Sequence, residues 1–199
     1  LPPKVQFSRE QIVDTAFNIA RESGIASLTV RKVAARLGCS VAPIYVNFNK
    51  SDDLIDAVMD KIKQLSWEYS TGSYTDIGFF NIGIGQLLFV RDNPRLFLEL
   101  VNSDYICSDM EKDVEQQMVD IMMKDRMLDG LSREDNRKLL LQMSIFTNGL
   151  SLELLKENSR LSLEGALSIL EETAHQLIHS FKTDFRSSFT PYSPINIPK

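Results

Sequence analysis

Apolar residues recur at helical spacing along almost the whole chain, and no stretch shows the sustained two-residue alternation of a half-buried strand. The first helix has the sharpest limits. Ser8 stands as N-cap with Gln11 as its capping-box partner, Phe7 is placed to staple onto Ile12, and Gly24 closes the segment. Between these limits Ile12, Val13, Ala16, Phe17, Ile19 and Ala20 form one broad apolar face. Thr29 caps a second helix, with Leu28 and Val33 in staple positions, and Gly38 ends it. The third helix is constrained by Pro43, because an interior proline costs about 3 kcal/mol or more. The expected solution is a helix with Ser40 as N-cap and Pro43 as its third residue, where no intrahelical partner for an N–H exists in any case.

A fourth helix opens at Ser51 with Asp52 and Asp53 and runs to about Tyr69, followed by the turn-rich break "STGSYTD" at 70–76. Beyond it the pattern predicts a helix over 76–91, the breaker "DNP" at 92–94, and a short helix from Pro94. A capping box of Ser108 and Glu111 opens "SDMEKDVEQQMVDIMMKDRM", closed by Asp129 and Gly130. Ser132 with Asp135 opens a long helix through "NRKLLLQMSIFTNGLSLELLKEN", and Ser162 begins the last, "SLEGALSILEETAHQLIHSFKTDF". The expected fold is all-α with about nine helices, ending in the extended tail "RSSFTPYSPINIPK".

Composition narrows the class. With 199 residues and 43% hydrophobic content the chain can bury a core, and its longest apolar runs, such as "IGIGQLLFV" at 82–90, fall well short of the roughly 20 residues that span a bilayer. No membrane partner is expected. The two cysteines, Cys39 and Cys107, have no short spacing, and the opening residues carry no signal-peptide pattern, so the expected compartment is a reducing cytoplasm. Charge changes the picture more. Residues 1–51 hold seven Lys+Arg against three Asp+Glu, a balance of +4, whereas the remainder holds 15 against 24, a balance of −9. A basic N-terminal quarter on an acidic body suggests a polyanion-binding module joined to a part with another task.

The second and third helices, joined by a short turn with Gly38, form a helix-turn-helix pattern in which the small Ala34 allows close approach. Such a pair also occurs as a purely structural element of helical bundles. The discriminating feature is distributed: "IVDTAFNIARESG", then Thr29, Val33, Ala34, Leu37, Gly38, Ile44, Tyr45 and Phe48, then Lys50, Asp53 and Leu54. In this order, over roughly residues 8–58, the chain resembles the N-terminal domain of the TetR (tetracycline-repressor-like) family. The resemblance implies a homodimeric, ligand-responsive transcription regulator, a repressor in its commonest form, which binds a palindromic double-stranded DNA operator. It implies a three-helix DNA-binding domain at 5–50, a connecting helix at 51–70, a ligand-binding and dimerisation domain at 71–185, and a tail at 186–199.

Carried over by position, the resemblance makes Thr29 and Tyr45 phosphate contacts, and Ser40, Val41, Ala42, Pro43, Val46 and Asn47 the groove-facing set. Position 51, where the family usually has a phosphate-contacting lysine, is Ser51; Lys50 sits one place early. Val41, Ala42 and Pro43 offer no side-chain hydrogen bond, leaving Ser40 and Asn47 as polar readers. Asn pairs with adenine and apolar side chains contact thymine methyls, so an A/T-biased half-site read largely through shape and phosphates is expected. The last two helices have broad apolar faces suited to a four-helix interface between two copies. Phe80, Ile84, Leu87, Leu88, Phe97, Met118 and Met122 on the middle helices are candidate contacts for a small, mostly apolar effector that swings the fourth helix. Gly78, Gly83 and Gly85 on one helix suggest close helix contacts or a helix able to yield.

His175 and His179 share a helix face with Glu171, which reads more readily as a solvated or interface pair than as a metal site. No phosphate-cradling Gly loop, zinc-spaced Cys/His set or activated nucleophile is recognisable. Neither enzyme activity, a cofactor nor a metal is expected. The alternative function is a co-regulator of the same fold that acts through a protein partner.

Overall fold

A computed structural model describes residues 7–102 and 108–183, with side chains described outside 103–112. The described residues form nine α-helices and two short 3₁₀ turns, with no strand. The helices are α1 (Arg9–Ser23), α2 (Val30–Leu37), α3 (Ala42–Asn47), α4 (Ser51–Ser70), α5 (Gly78–Asp92), α6 (Pro94–Asn102), α7 (Ser108–Met122), α8 (Arg133–Leu154) and α9 (Leu163–Lys182). The Ser108–Glu111 capping box, Cys107 and the tail at 186–199 lie outside the described side chains.

Local chemistry explains most helix limits. Ser8 accepts the Gln11 N–H at 3.1 Å while the Gln11 side chain accepts the Ser8 N–H at 2.9 Å, a complete capping box. Thr29 accepts the Lys32 N–H at 3.2 Å. At the other end of α2, Gly38 has φ +69°, and the N–H groups of Gly38 and Cys39 donate to Ala35 and Ala34 carbonyls, the paired bonds of a Schellman close. Ser132 and Asp135 form the capping box of α8, and Ser162 accepts the Gly165 N–H at the start of α9.

Two expectations need correction. Ser40 does not cap α3: the helix begins one residue later, with Val41 as N-cap and Pro43 at the second helical position. Val41 is already in the right-handed helical region, and its carbonyl accepts from both Ile44 and Tyr45, so proline's missing N–H costs no bond. By contrast α4 opens at Ser51 as expected, and the backbone N–H of the capping residue Lys50 donates to the Asp53 carboxylate at 3.3 Å. The helix through "SDMEKDVEQQMVDIMMKDRM" stops at Met122, with a 3₁₀ turn at Arg126–Leu128. The cause is distant in sequence. The Asp125 carboxylate accepts the N–H groups of Gly78 and Phe79, at 3.0 and 2.7 Å, and so serves as the cap of α5.

Two cores result. The first joins α1, α2 and α3 through Ile12, Val33, Ile44 and Phe48 to the N-terminal half of α4, and extends to Phe89 and Val90 of α5 and Leu96 and Phe97 of α6. The second packs the first part of α5 against α7, α8 and α9 around Leu87, Val119, Met122, Leu139 and Leu170. α5 therefore belongs to both. Its crossing with α4 is tight: a Cβ added at Gly85 would lie 2.0 Å from the Tyr69 carbonyl oxygen. Of the two readings of these glycines, close contact is the one the packing supports.

Candidate nucleic-acid interface and effector cleft

α3 is anchored by Ile44 and Phe48, both buried, and this sets which residues face outward. Tyr45 is 52% exposed and Val46 80% exposed, with Val41 and Ala42 also exposed and Pro43 half-buried. Ser40 and Lys50 lie exposed at the two ends, and Thr29 is exposed at the start of α2. Each of these predicted residues is thus accessible, Pro43 in part. Asn47 is placed differently from a free reader: its amide nitrogen donates to the Pro43 carbonyl at 2.9 Å, is 3.4 Å from the Phe7 carbonyl, and the side chain is half-buried. Arg36 is likewise engaged, in a two-pronged pair with Glu22 at 2.9 and 2.8 Å. The hydrogen bond from Arg36 lowers the Glu22 carboxyl below its ordinary pKa and raises the guanidinium.

A cleft of about 670 Å³ opens between α4, α6, α7 and α8. From α4 it is lined by Lys63, Ser66, Trp67 and Ser70, a spacing of three, four and seven that puts all four on one helical face. Leu100, Val114, Met118, Leu140 and Leu141 supply its apolar wall. Its polar edge includes two ion pairs, Arg137 with Glu115 at 3.2 Å and Lys138 with Glu134 at 3.3 Å.

Of the expected effector contacts, only Met118 lines this cleft. Phe80 borders a much smaller space of about 20 Å³ between α5, α8 and α9. Leu87 and Met122 are fully buried in the second core, and Phe97 is buried in the first. Ile84 packs partly buried against the second core, and Leu88 is half-buried. The residues missed on α4 did carry a signal. Trp67 is the only tryptophan, on a helix whose core face is already supplied by Leu54, Val58, Met59 and Ile62.

Cleft and reader share structural elements. The first part of α4 packs on α1, where Lys61 pairs with Asp14 and lies over the Phe17 ring at 5.4 Å, and the last part lines the cleft. On α6 two neighbouring residues face different ways: Leu100 lines the cleft, and Glu99 accepts the Ile25 N–H at 2.9 Å, in the turn between α1 and α2. Because Trp67 is the sole tryptophan and sits on α4, a molecule entering the cleft should change its emission. Titration of a bound small molecule is expected to quench or shift that emission by tens of per cent, and Trp67→Phe should abolish the signal. A molecule that binds elsewhere would leave the emission unchanged.

An exposed short helix after a glycine turn, carried on a bundle with a cleft along its connecting helix, defines a two-part helix-turn-helix fold. Residues 12–58 match the family model described as bacterial regulatory proteins, tetR family. The N-terminal segment is thus similar to the TetR-family domain, and the described chain has the fold seen in solved TetR-family regulators. The tetracycline repressor protein class D of Escherichia coli is 32% identical over 65 residues, which are 33% of this chain and 30% of the repressor's length. Among solved structures, a transcriptional regulator from Rhodococcus sp. Rha1 superposes with a TM-score of 0.64 at 16% identity, covering 89% of this chain and 99% of that one. A TetR variant from Acinetobacter baumannii AYE in complex with minocycline gives 0.55 at 18% identity, covering 92% and 99%. Among the described residues no helix is long and apolar enough to cross a membrane.

Proposed function

We propose that the chain is a ligand-responsive transcriptional regulator, a repressor, that binds a two-fold operator as a homodimer and is released by a small, mostly apolar effector. The observation that carries this reading is the sharing of α4: one helix packs on the proposed DNA-reading bundle and also lines the cleft of about 670 Å³. An effector in contact with Trp67 and Leu100 would bias the position of α4 and α6, and hence the separation of the two readers. The cleft suits a molecule with an apolar body and a polar edge that meets the Arg137–Glu115 and Lys138–Glu134 pairs.

For the DNA, Thr29, Tyr45 and Lys50 would hold phosphates, while Ser40, Val41, Ala42 and Pro43, with Val46 beside them, would meet base edges. Asn47 would act through its grip on Pro43 and on the segment before α1, and would read a base only after releasing that grip. The half-sites would be rich in A/T, recognised by thymine methyls, shape and phosphates. Dimerisation would use the exposed apolar stripe Leu141, Ile145 and Leu152 of α8 together with Ile169 of α9.

The apolar exposed face of α3 favours a second reading, in which Val41, Tyr45 and Val46 dock a protein partner and DNA affinity is small. Titration of labelled duplex from the region upstream of the chain's own gene separates the two. The DNA reader predicts steeply salt-dependent binding that falls about tenfold or more with Tyr45→Ala and with Lys50→Ala. Absence of binding to any operator-like duplex favours the co-regulator.

A further inference from the structure

We infer that Arg9, at the first position of α1, is a backbone-phosphate contact of the DNA-reading surface and stands in for the cation that position 51 lacks. This inference rests on the DNA-binding reading and adds a residue outside the helix pair. The guanidinium of Arg9 lies over the Phe48 ring, 4.7 Å from its centroid. Phe48 is the capping residue at the C-terminal end of α3, and its ring is otherwise buried in the first core. Stacking on that ring holds the charge beside the end of the reading helix. The same corner is tied a second time, where the Asn47 amide approaches the Phe7 carbonyl just before α1. Arg9 is exposed, and no carboxylate among the described residues pairs with it. By contrast, Arg36 is engaged by Glu22 and Lys61 by Asp14.

Position decides what such a charge can do. α3 has six residues, so it is roughly 9 Å long and fits within a major groove about 12 Å wide. Phosphates flank that groove on both sides. With α3 in the groove, the exposed Thr29, Arg31 and Lys32 at the start of α2 would face one wall, and the other would fall to residues at the far end of α3. There position 51 is serine, with Lys50 and Arg9 the cations beside it. An arginine forked toward a phosphate while stacked on an aromatic ring uses the two geometries in which guanidinium differs most from ammonium.

The test compares full-length wild type, Arg9→Ala, Arg9→Gln and Arg9→Lys in fluorescence anisotropy titrations over 50 to 200 mM salt. The probes are a duplex recovered from a random pool with the wild-type chain and a mixed-sequence duplex. Each lost phosphate contact lowers the magnitude of the log–log salt slope by about 0.9, and a dimer loses two, so the deficit of Arg9→Ala and Arg9→Gln should shrink about twelvefold across that range on both duplexes. Arg9→Lys should keep a slope near wild type. Thermal melts of the same proteins report any loss of the contact with Phe48. A slope unchanged in Arg9→Ala and Arg9→Gln, with any affinity loss tracking stability alone, overturns the inference while leaving the DNA-binding reading intact, as binding by wild type and its loss in Tyr45→Ala would show. Absence of wild-type binding to either duplex overturns both.

Discussion

Gly85→Ala is expected to destabilise the fold by about 3 kcal/mol or more, the largest effect of any single glycine substitution on α5. A Cβ at this position would lie 2.0 Å from the Tyr69 carbonyl oxygen and 2.8 Å from Ser70 Cα, so the obstacle is the backbone of the last turn of α4. Overpacked side chains can rotate away; two helix backbones must separate. The usual cost of overpacking, 1–3 kcal/mol, is therefore a lower bound, and about 3 kcal/mol or more is expected against a total stability of about 5–15 kcal/mol. Gly83 provides the comparison within the same helix. There the added Cβ would meet Leu170 methyls at 2.9 and 3.2 Å, which can shift, so Gly83→Ala should cost distinctly less. Denaturant melts of both variants check the ordering. Equal stability of the two would mean that α4 and α5 are not held at this distance. The same closeness matters for function, because Tyr69 and Ser70 end the helix that lines the cleft with Ser66 and Trp67.

Ile145→Glu is expected to abolish high-affinity DNA binding without touching the reader. Ile145 is 65% exposed and Leu141 62% exposed on the same face of α8, so a glutamate there perturbs the isolated fold by no more than about 0.5 kcal/mol. In the proposed dimer the same glutamate would be buried opposite its symmetry copy, a desolvated pair of like charges. Sedimentation should show a monomer with an unchanged helical circular dichroism spectrum. Operator affinity should fall about 100-fold or more, because the two half-sites no longer benefit from the high effective concentration of a linked second reader. A dimer that persists in Ile145→Glu would place the interface elsewhere.

How much of this was legible in the sequence depended on distance along the chain. The caps at Ser8, Thr29, Ser132 and Ser162 involve partners three residues away, and each is present. The start of α3 was misplaced by one residue because Ser40 is a good capping residue in general, whereas the first helical bonds, from Ile44 and Tyr45, are accepted by the Val41 carbonyl. The end of α7 could not be read locally, since the carboxylate that stops it belongs to the cap of α5, 46 and 47 residues away. On the proposed DNA-reading surface the outward set came from the family resemblance, and the burial of Ile44 and Phe48 is compatible with it. The hold of Asn47 on Pro43 and the stacking of Arg9 on Phe48 required coordinates.

The proposed effector cleft was the least legible part. Hydrophobicity alone does not separate a residue that fills a core, such as Leu87 or Met122, from one that lines a space, such as Trp67 or Leu140. The difference arises where α4 and α8 diverge, and that depends on how α5 is wedged between them. Trp67 was visible as a large side chain off the core stripe of α4, but its meaning depended on what stood opposite.

The central claim is that two copies of α3, carried by one dimer, read two adjacent turns of a duplex. Hydroxyl-radical footprinting of a duplex selected from a random pool with the purified chain tests it most directly. Two protected patches related by two-fold symmetry, with centres about one helical turn or roughly 34 Å apart and lost together in Tyr45→Ala, are the predicted result. A single patch, or a pool from which no duplex is retained above background, would contradict it.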